Sequence, residues 1–167
     1  MVRVIADVRA PVDVAVYPML DYATEVPRIA AWFFEQWRPL YTEESLASVE
    51  RRIRTWLTRN QIPTALVAVS DKRIVGTVAL KNRELPDLDF GPWLAGLFVV
   101  PEQRRRGIGA LLVAAAEQQA SALGVRQLHL YTPDSEGFYE RLGWKVVDRH
   151  ALPTGTVSVM RKDLQGP

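Results

Sequence analysis

Val99-Val100-Pro101-Glu102-Gln103-Arg104-Arg105-Arg106-Gly107-Ile108-Gly109-Ala110 joins a β-branched run to a basic turn whose two glycines open directly onto a helix. Upstream, Leu94 to Val100 is apolar and bounded by Pro92 and Pro101, which reads as a buried strand. Downstream, Ile108, Leu111, Leu112, Ala115, Gln119 and Ala122 recur at helical spacing, and Gly124 sits where a helix-ending left-handed residue belongs. Glycines let the backbone approach an anion closely, the first N–H groups of a helix point at it, and three arginines bring formal charge. The segment therefore has the design of a cradle for a pyrophosphate or a larger polyphosphate.

A strand–Gly-x-Gly–helix junction also begins a dinucleotide-binding fingerprint. That reading fails twice: its third glycine would fall at Leu112, and the next strand ends His129-Leu130-Tyr131, with no acid to hold a ribose. The junction Arg104-x-x-Gly107-x-Gly109 instead resembles the acyl-CoA-binding motif of the GNAT superfamily of N-acetyltransferases. In that family the CoA helix is followed by a strand and a short helix that carries a Tyr and ends in Leu-Gly-aromatic. Here Val125 to Tyr131 is followed by Phe138-Tyr139-Glu140-Arg141-Leu142-Gly143-Trp144. Two motifs in the same order make the resemblance detailed over residues 93–149 and architectural over 12–92.

At 167 residues and 48% hydrophobic content the chain is long enough for one substantial core, and a single domain over 1–167 is expected. It contains no cysteine, which excludes disulfide scaffolds, thiolate zinc sites and cysteine nucleophiles. Met1 to Ala10 is too broken by Arg3, Asp7 and Arg9 for a signal sequence, no stretch reaches transmembrane length, and a cytoplasmic protein is the expectation. The net charge of +2 is a weak argument for anionic partners. Arg104 to Arg106 form the one dense basic run. Arg51, Arg52 and Arg54 fall among Glu43, Glu44 and Glu50, which reads as a mixed solvated helix face.

The remaining pattern predicts a mixed α/β sheet of six to seven strands with about four helices on both faces. Val12 to Leu20 reads as a strand that Pro18 places at an edge. Helices are expected from Pro27 to Trp37 and from Glu43 to Arg59, the second with Thr42 as its N-cap. Thr64 to Ser70 and Ile74 to Leu80 have hairpin spacing, and Lys81 to Pro92 is a loop. A short helix from Ser135 to Leu142, capped by Ser135 or Asp134, precedes strands near Trp144 to Arg149 and Thr156 to Arg161, with Leu152 to Gly155 as their turn.

The resemblance implies a fold in which the strand before the cradle splays from the next one and bonds the pantetheine arm through its own backbone. By position, Leu97, Phe98 and Val99 would supply those contacts. Arg104, Arg105, Arg106, Gly107, Ile108, Gly109 and Ala110 would wrap the pyrophosphate. Arg104 takes the motif's Gln or Arg place, and Arg105 and Arg106 contribute mostly through amide N–H groups. Ser135 is expected near the cofactor. The implied reaction is transfer of an acetyl group from acetyl-CoA, a co-substrate, to a primary amine of a small molecule or peptide by direct attack in a ternary complex.

Such an attack needs a neutral amine, a donor for the developing oxyanion and a proton for the departing thiolate. Tyr139 is the candidate acid. Helical geometry alone fits a core aromatic equally well, and the resemblance selects the acid. Among Glu84, Asp87 and Asp89, which precede the cofactor strand, Asp89 is the candidate to attract the amine and relay its proton. His129 reads as a sheet residue, Trp93 as a packing residue just before the cofactor strand, and no spacing suggests a metal.

Two other classes fit less of the pattern. A catalytically degenerate CoA-binding sensor module would share the cradle, and a nucleic-acid-binding domain would use Arg104 to Arg106. The latter lacks interleaved exposed aromatics and a strong basic excess, so nucleic acid and membrane are not expected as partners, while the terminal strand pair offers a route to a homodimer.

Overall fold

A computed structural model describes residues 13–40 and 44–166. Seven strands form one sheet: β1 (Val14–Pro18), β2 (Thr64–Ser70), β3 (Arg73–Lys81), β4 (Trp93–Val99), β5 (Gln127–Thr132), β6 (Lys145–Leu152) and β7 (Gly155–Asp163). Their spatial order is β1-β2-β3-β4-β5-β7-β6. Every neighbouring pair is antiparallel except β4 and β5. Four helices cover both faces: α1 (Val26–Gln36), α2 (Leu46–Arg54), α3 (Ile108–Ala122) and α4 (Glu136–Arg141). The mixed α/β architecture expected from the sequence is the one observed.

Burial explains the strand assignments. Strands β2 and β3 are continuous apolar runs buried along almost their whole length, as strands covered on both faces must be. Strand β1 stands at the edge and ends at Pro18, where a residue without an N–H costs no ladder bond. On one face, α3 packs Ile108, Leu111, Leu112 and Ala115 with Val78, Leu80, Leu94, Leu128 and Leu130. Its inner face turns toward Ala116 and Ala120, so Ala122 is exposed and Gln119 reaches sideways, donating to the Arg59 carbonyl at 2.8 Å. Small residues there let the helix lie close to the sheet. On the other face, Ile29, Ala30 and Phe33 of α1 and Val49 and Ile53 of α2 pack with Val67, Ala79 and Phe98. Each large side chain so buried contributes about 1.5–3 kcal/mol.

Several boundaries differ from expectation; β6 runs past Arg149 to Leu152, because Ala151 and Leu152 still pair with Thr156 and Gly155 and the turn closes beyond them. Helix α2 is shorter than the predicted Glu43–Arg59. Its N-cap is Ser45, whose hydroxyl accepts from the Ser48 N–H at 3.1 Å while the Ser48 hydroxyl accepts from the Ser45 N–H at 3.0 Å. Thr42 and Glu43 lie outside the described residues. At its other end the Thr55 hydroxyl bonds back to the Arg52 carbonyl and the chain turns. The mixed face is as expected, with Arg52 paired to Glu44 and Arg54 to Glu50. In α4, Ser135 is the residue before the first turn but makes no side-chain cap bond; its hydroxyl goes to Asp134 and its N–H to the Thr132 hydroxyl.

The buried Trp144 after α4 ties this region to α3. Its indole N–H donates to Glu117 at 2.9 Å, and the other Glu117 oxygen receives Lys162 Nζ at 2.8 Å. Glu117→Ala takes its acceptor from the Trp144 indole and leaves Lys162 Nζ with the Leu142 carbonyl alone, and urea denaturation is expected to show a loss of about 1–3 kcal/mol.

Candidate active site

The parallel pair β4 and β5 meets in register only at Trp93 and His129, where the His129 N–H donates to the Pro92 carbonyl at 3.0 Å. Beyond that point the strands part, because β4 carries a bulge on its other side. Thr77 stands opposite Phe98 and Ala79 opposite Ala95, so Gly96 and Leu97 share the single partner Val78. Gly96 has φ +59, and a Cβ there would sit 3.3 Å from the Phe33 ring, so both backbone and packing require glycine.

A cleft of about 490 Å³ opens at the parting. One wall is Leu97, Phe98 and Val99 of β4; its floor is the turn Arg104, Arg105, Gly107 and the first helical residues Ile108, Gly109 and Ala110; the far wall is Ser135, Phe138 and Tyr139. The sequence-predicted residues thus converge, with two exceptions. Arg106 is not in the lining and its guanidinium donates to Gln103 Oε1 at 3.1 Å. Asp89 is 93% exposed, ion-paired with Arg83, and lines a separate recess with Asn82, Phe90, Gly91 and Pro92. Of the other two acids singled out in that loop, Glu84 is largely buried against Lys81 and Asp87 is exposed; neither lines the cleft.

The turn has the backbone that an anion site needs. Arg105 and Gly107 both have positive φ, at 61° and 80°, and Gly107 caps α3 in the left-handed conformation. The N–H groups of Ile108, Gly109 and Ala110 lie in the first turn of α3, where no carbonyl four residues earlier serves them, and they project at the cleft with the positive end of the helix dipole. A Cβ on Gly107 would meet nothing within 4 Å, whereas one on Gly109 would touch Phe138 at 3.4 Å. Arg104, Arg105 and Arg141 line the cleft, and no carboxylate joins them among the described residues. The field there favours an anion.

The guanidinium of Arg104 is already engaged by its neighbours. Its Nε donates to the Val99 carbonyl at 2.8 Å, one terminal nitrogen donates to Gln36 Oε1 at 3.4 Å, and the guanidinium lies over the Phe98 ring. The side chain straps the turn to the end of β4 and to α1. Gln36, Gln103 and Arg141 also line the cleft and were missed by sequence reading. Arg141 lies two residues beyond Tyr139 and Gln103 within the motif, so both carried a local signal; Gln36, from α1, carried none.

Tyr139 packs its ring into the core and lines the cleft. The ring is edge-on to Phe138 and Trp144 at 4.9 and 6.2 Å, and the residue is 8% exposed. Its hydroxyl has no hydrogen-bond partner among the described residues. Burial, helped by nearby Asp134, pushes the phenol up to about 12, so it holds its proton throughout the neutral range. Helix α4 is held in place from outside: Glu136 accepts from Arg149 of β6 and from the Ser158 hydroxyl of β7, and the Arg149 hydrogen bond holds its carboxyl below the usual range. His129, buried between Phe90 and Trp93, is a sheet residue whose imidazole burial disfavours charging.

The fold has counterparts in known proteins. A curated relative, an N-acetyltransferase of Chlorobaculum tepidum, is 38% identical over 60 residues, which cover 36% of this chain and 38% of that one. An aminoglycoside 6'-N-acetyltransferase solved in complex with coenzyme A superposes with a TM-score of 0.70 at 18% identity, covering 86% of this chain and 93% of that one. A GNAT-family acetyltransferase from Streptococcus pneumoniae gives a TM-score of 0.67 at 16% identity, covering 91% and 99%. The model of the acetyltransferase (GNAT) family matches residues 26–144, from α1 through the cradle to Trp144. With that span matched, the chain belongs to the GNAT family of acetyltransferases.

Proposed function

We propose that the protein is a single-domain N-acetyltransferase that moves an acetyl group from acetyl-CoA to a primary amine of a small molecule or peptide. The observation that carries the reading is the convergence, in one cleft, of a parted strand, an anion-binding turn and a buried protonated phenol. The pyrophosphate would lie on the N–H groups from Arg105 to Ala110. The pantetheine arm would pair with the free edge of β4 at Leu97 to Val99, like an added strand, and bring the thioester toward Tyr139. The coenzyme A bound by the aminoglycoside acetyltransferase supports this choice of ligand.

The chemistry then needs few groups. The neutral amine attacks the thioester carbon, its nitrogen forming the new C–N bond as the carbonyl oxygen becomes an oxyanion. Backbone N–H groups of the β4 bulge stabilise that charge. Collapse of the tetrahedral intermediate breaks the C–S bond, and Tyr139 donates its proton to the leaving sulfur; the ammonium proton passes to solvent and the phenolate is reprotonated there. Tyr139 is the catalytic acid, and the proton relay expected of Asp89 is given to solvent instead, since Asp89 is ion-paired with Arg83 and lies outside the lining of this cleft.

Thermal unfolding with acetyl-CoA, ATP or NAD tests the reading. Acetyl-CoA at about a hundred times its dissociation constant is expected to add about 2.7 kcal/mol, a rise of about 5–10 °C. An equal rise with all three ligands, or none, would overturn the cofactor assignment. A selective rise, followed by thiol release across a panel of amines, identifies the acceptor.

A further inference from the structure

Thr77 of β3 is fully buried, and its hydroxyl does not bond within its own strand. It donates instead to the carbonyl of Gly96, 19 residues away, at 2.9 Å. Gly96 is the first residue of the β4 bulge, held at φ +59. The Gly96 carbonyl and the Leu97 N–H belong to one planar trans peptide and so point in opposite directions. With β3 on one side of β4 and β5 on the other, a carbonyl drawn toward β3 turns the Leu97 N–H toward β5. That is the side on which the strands part and which Leu97 lines.

We propose that Thr77 is a positioning residue for acyl transfer: by fixing the Gly96 carbonyl, its hydroxyl aims the Leu97 N–H at the oxygen of the bound thioester. The inference rests on the acetyl-CoA reading above and assigns to a β3 side chain the orientation of a β4 donor. A donor aimed at the developing oxyanion is typically worth about 10²–10³ in rate, and that worth depends on direction as well as distance. The Thr77 hydroxyl holds the Gly96 carbonyl in this direction before any ligand arrives.

The test compares the wild type with Thr77→Val, which keeps the shape and removes the hydroxyl, Thr77→Ala as a second hydroxyl-free variant, and Thr77→Ser, which restores it. Each ¹⁵N-labelled protein, its fold checked by thermal unfolding, is titrated with CoA and with acetyl-CoA while the Leu97 amide resonance is followed. In the wild type and Thr77→Ser, acetyl-CoA is expected to move that resonance downfield of its position with CoA. In Thr77→Val and Thr77→Ala the difference is expected to be largely lost, while CoA affinity stays within about twofold of wild type. A full acetyl-dependent difference in the hydroxyl-free variants, or its equal loss in Thr77→Ser, would overturn the role of Thr77 alone. Failure of the wild type to bind either ligand would overturn the cofactor reading and this inference with it.

Discussion

Tyr139→Phe is expected to lower turnover by about 10²-fold while leaving the dissociation constant for acetyl-CoA nearly unchanged. The substitution removes one oxygen and keeps the ring, so the edge-on contacts with Phe138 and Trp144 persist and the fold is retained. The effect stays near the low end of the general-acid range because a thiolate is already a tolerable leaving group. Steady-state kinetics beside isothermal titration separates the two quantities; wild-type turnover in the variant would remove the acid assignment. Because the phenol is pushed up to about 12, no descending limb from its ionisation is expected in the pH–rate profile up to about pH 11.

The same shift predicts a stability difference with a definite sign. Tyr139 titrates near 10 in the unfolded chain and near 12 in the folded one, so the folded state holds the proton more tightly. The stabilisation is fully present below pH 10 and is lost as pH rises toward 12, by about 3 kcal/mol in total. Tyr139→Phe has no such proton to lose. Its stability relative to wild type should therefore rise across that window, and urea titrations at pH 9 and pH 11.5 check it.

The order of elements was legible because each follows a local rule. Apolar runs of strand length, prolines at their ends and glycines at helix boundaries placed β2 to β5 and α3 within a few residues. The cradle was legible for the same reason: its glycines, arginines and helix start are contiguous, so one stretch of chain carries nearly the whole device. A second local pattern pointed to Tyr139, which the fold places in the wall of the same cleft. Features that depend on distant partners left no such trace. Gln36 enters the cleft only because α1 ends beside the turn, and Arg104 folds back onto Val99 and Gln36, although its place in the motif says only that a cation stands there. The bond from Thr77 to Gly96 joins two strands whose register shifts at that point, which no periodicity reveals. Asp89 shows the converse limit, since proximity to β4 in sequence did not bring it into the cleft.

Gly107→Val is expected to weaken acetyl-CoA binding by on the order of 10²-fold, about 2.7 kcal/mol, while costing the ligand-free protein only about 1–2 kcal/mol. Position 107 has φ +80, a conformation that a β-branched residue adopts under strain. A Cβ there meets no atom within 4 Å, so the strain is the main cost in the free protein. The ligand experiences more. Relief of the strain rotates the peptides on either side of 107, and those peptides carry N–H groups that are to receive the pyrophosphate; the added methyls also occupy the open floor of the cradle. Gly109→Ala provides the contrast, because its Cβ makes an ordinary contact with Phe138 at a position already helical. Chemical denaturation and isothermal titration on both variants separate backbone strain from ligand recognition. Affinity within about twofold of wild type in Gly107→Val would mean that the glycine serves the helix start alone, and the expected loss, absent in Gly109→Ala, would mean that its open side is where the phosphates lie.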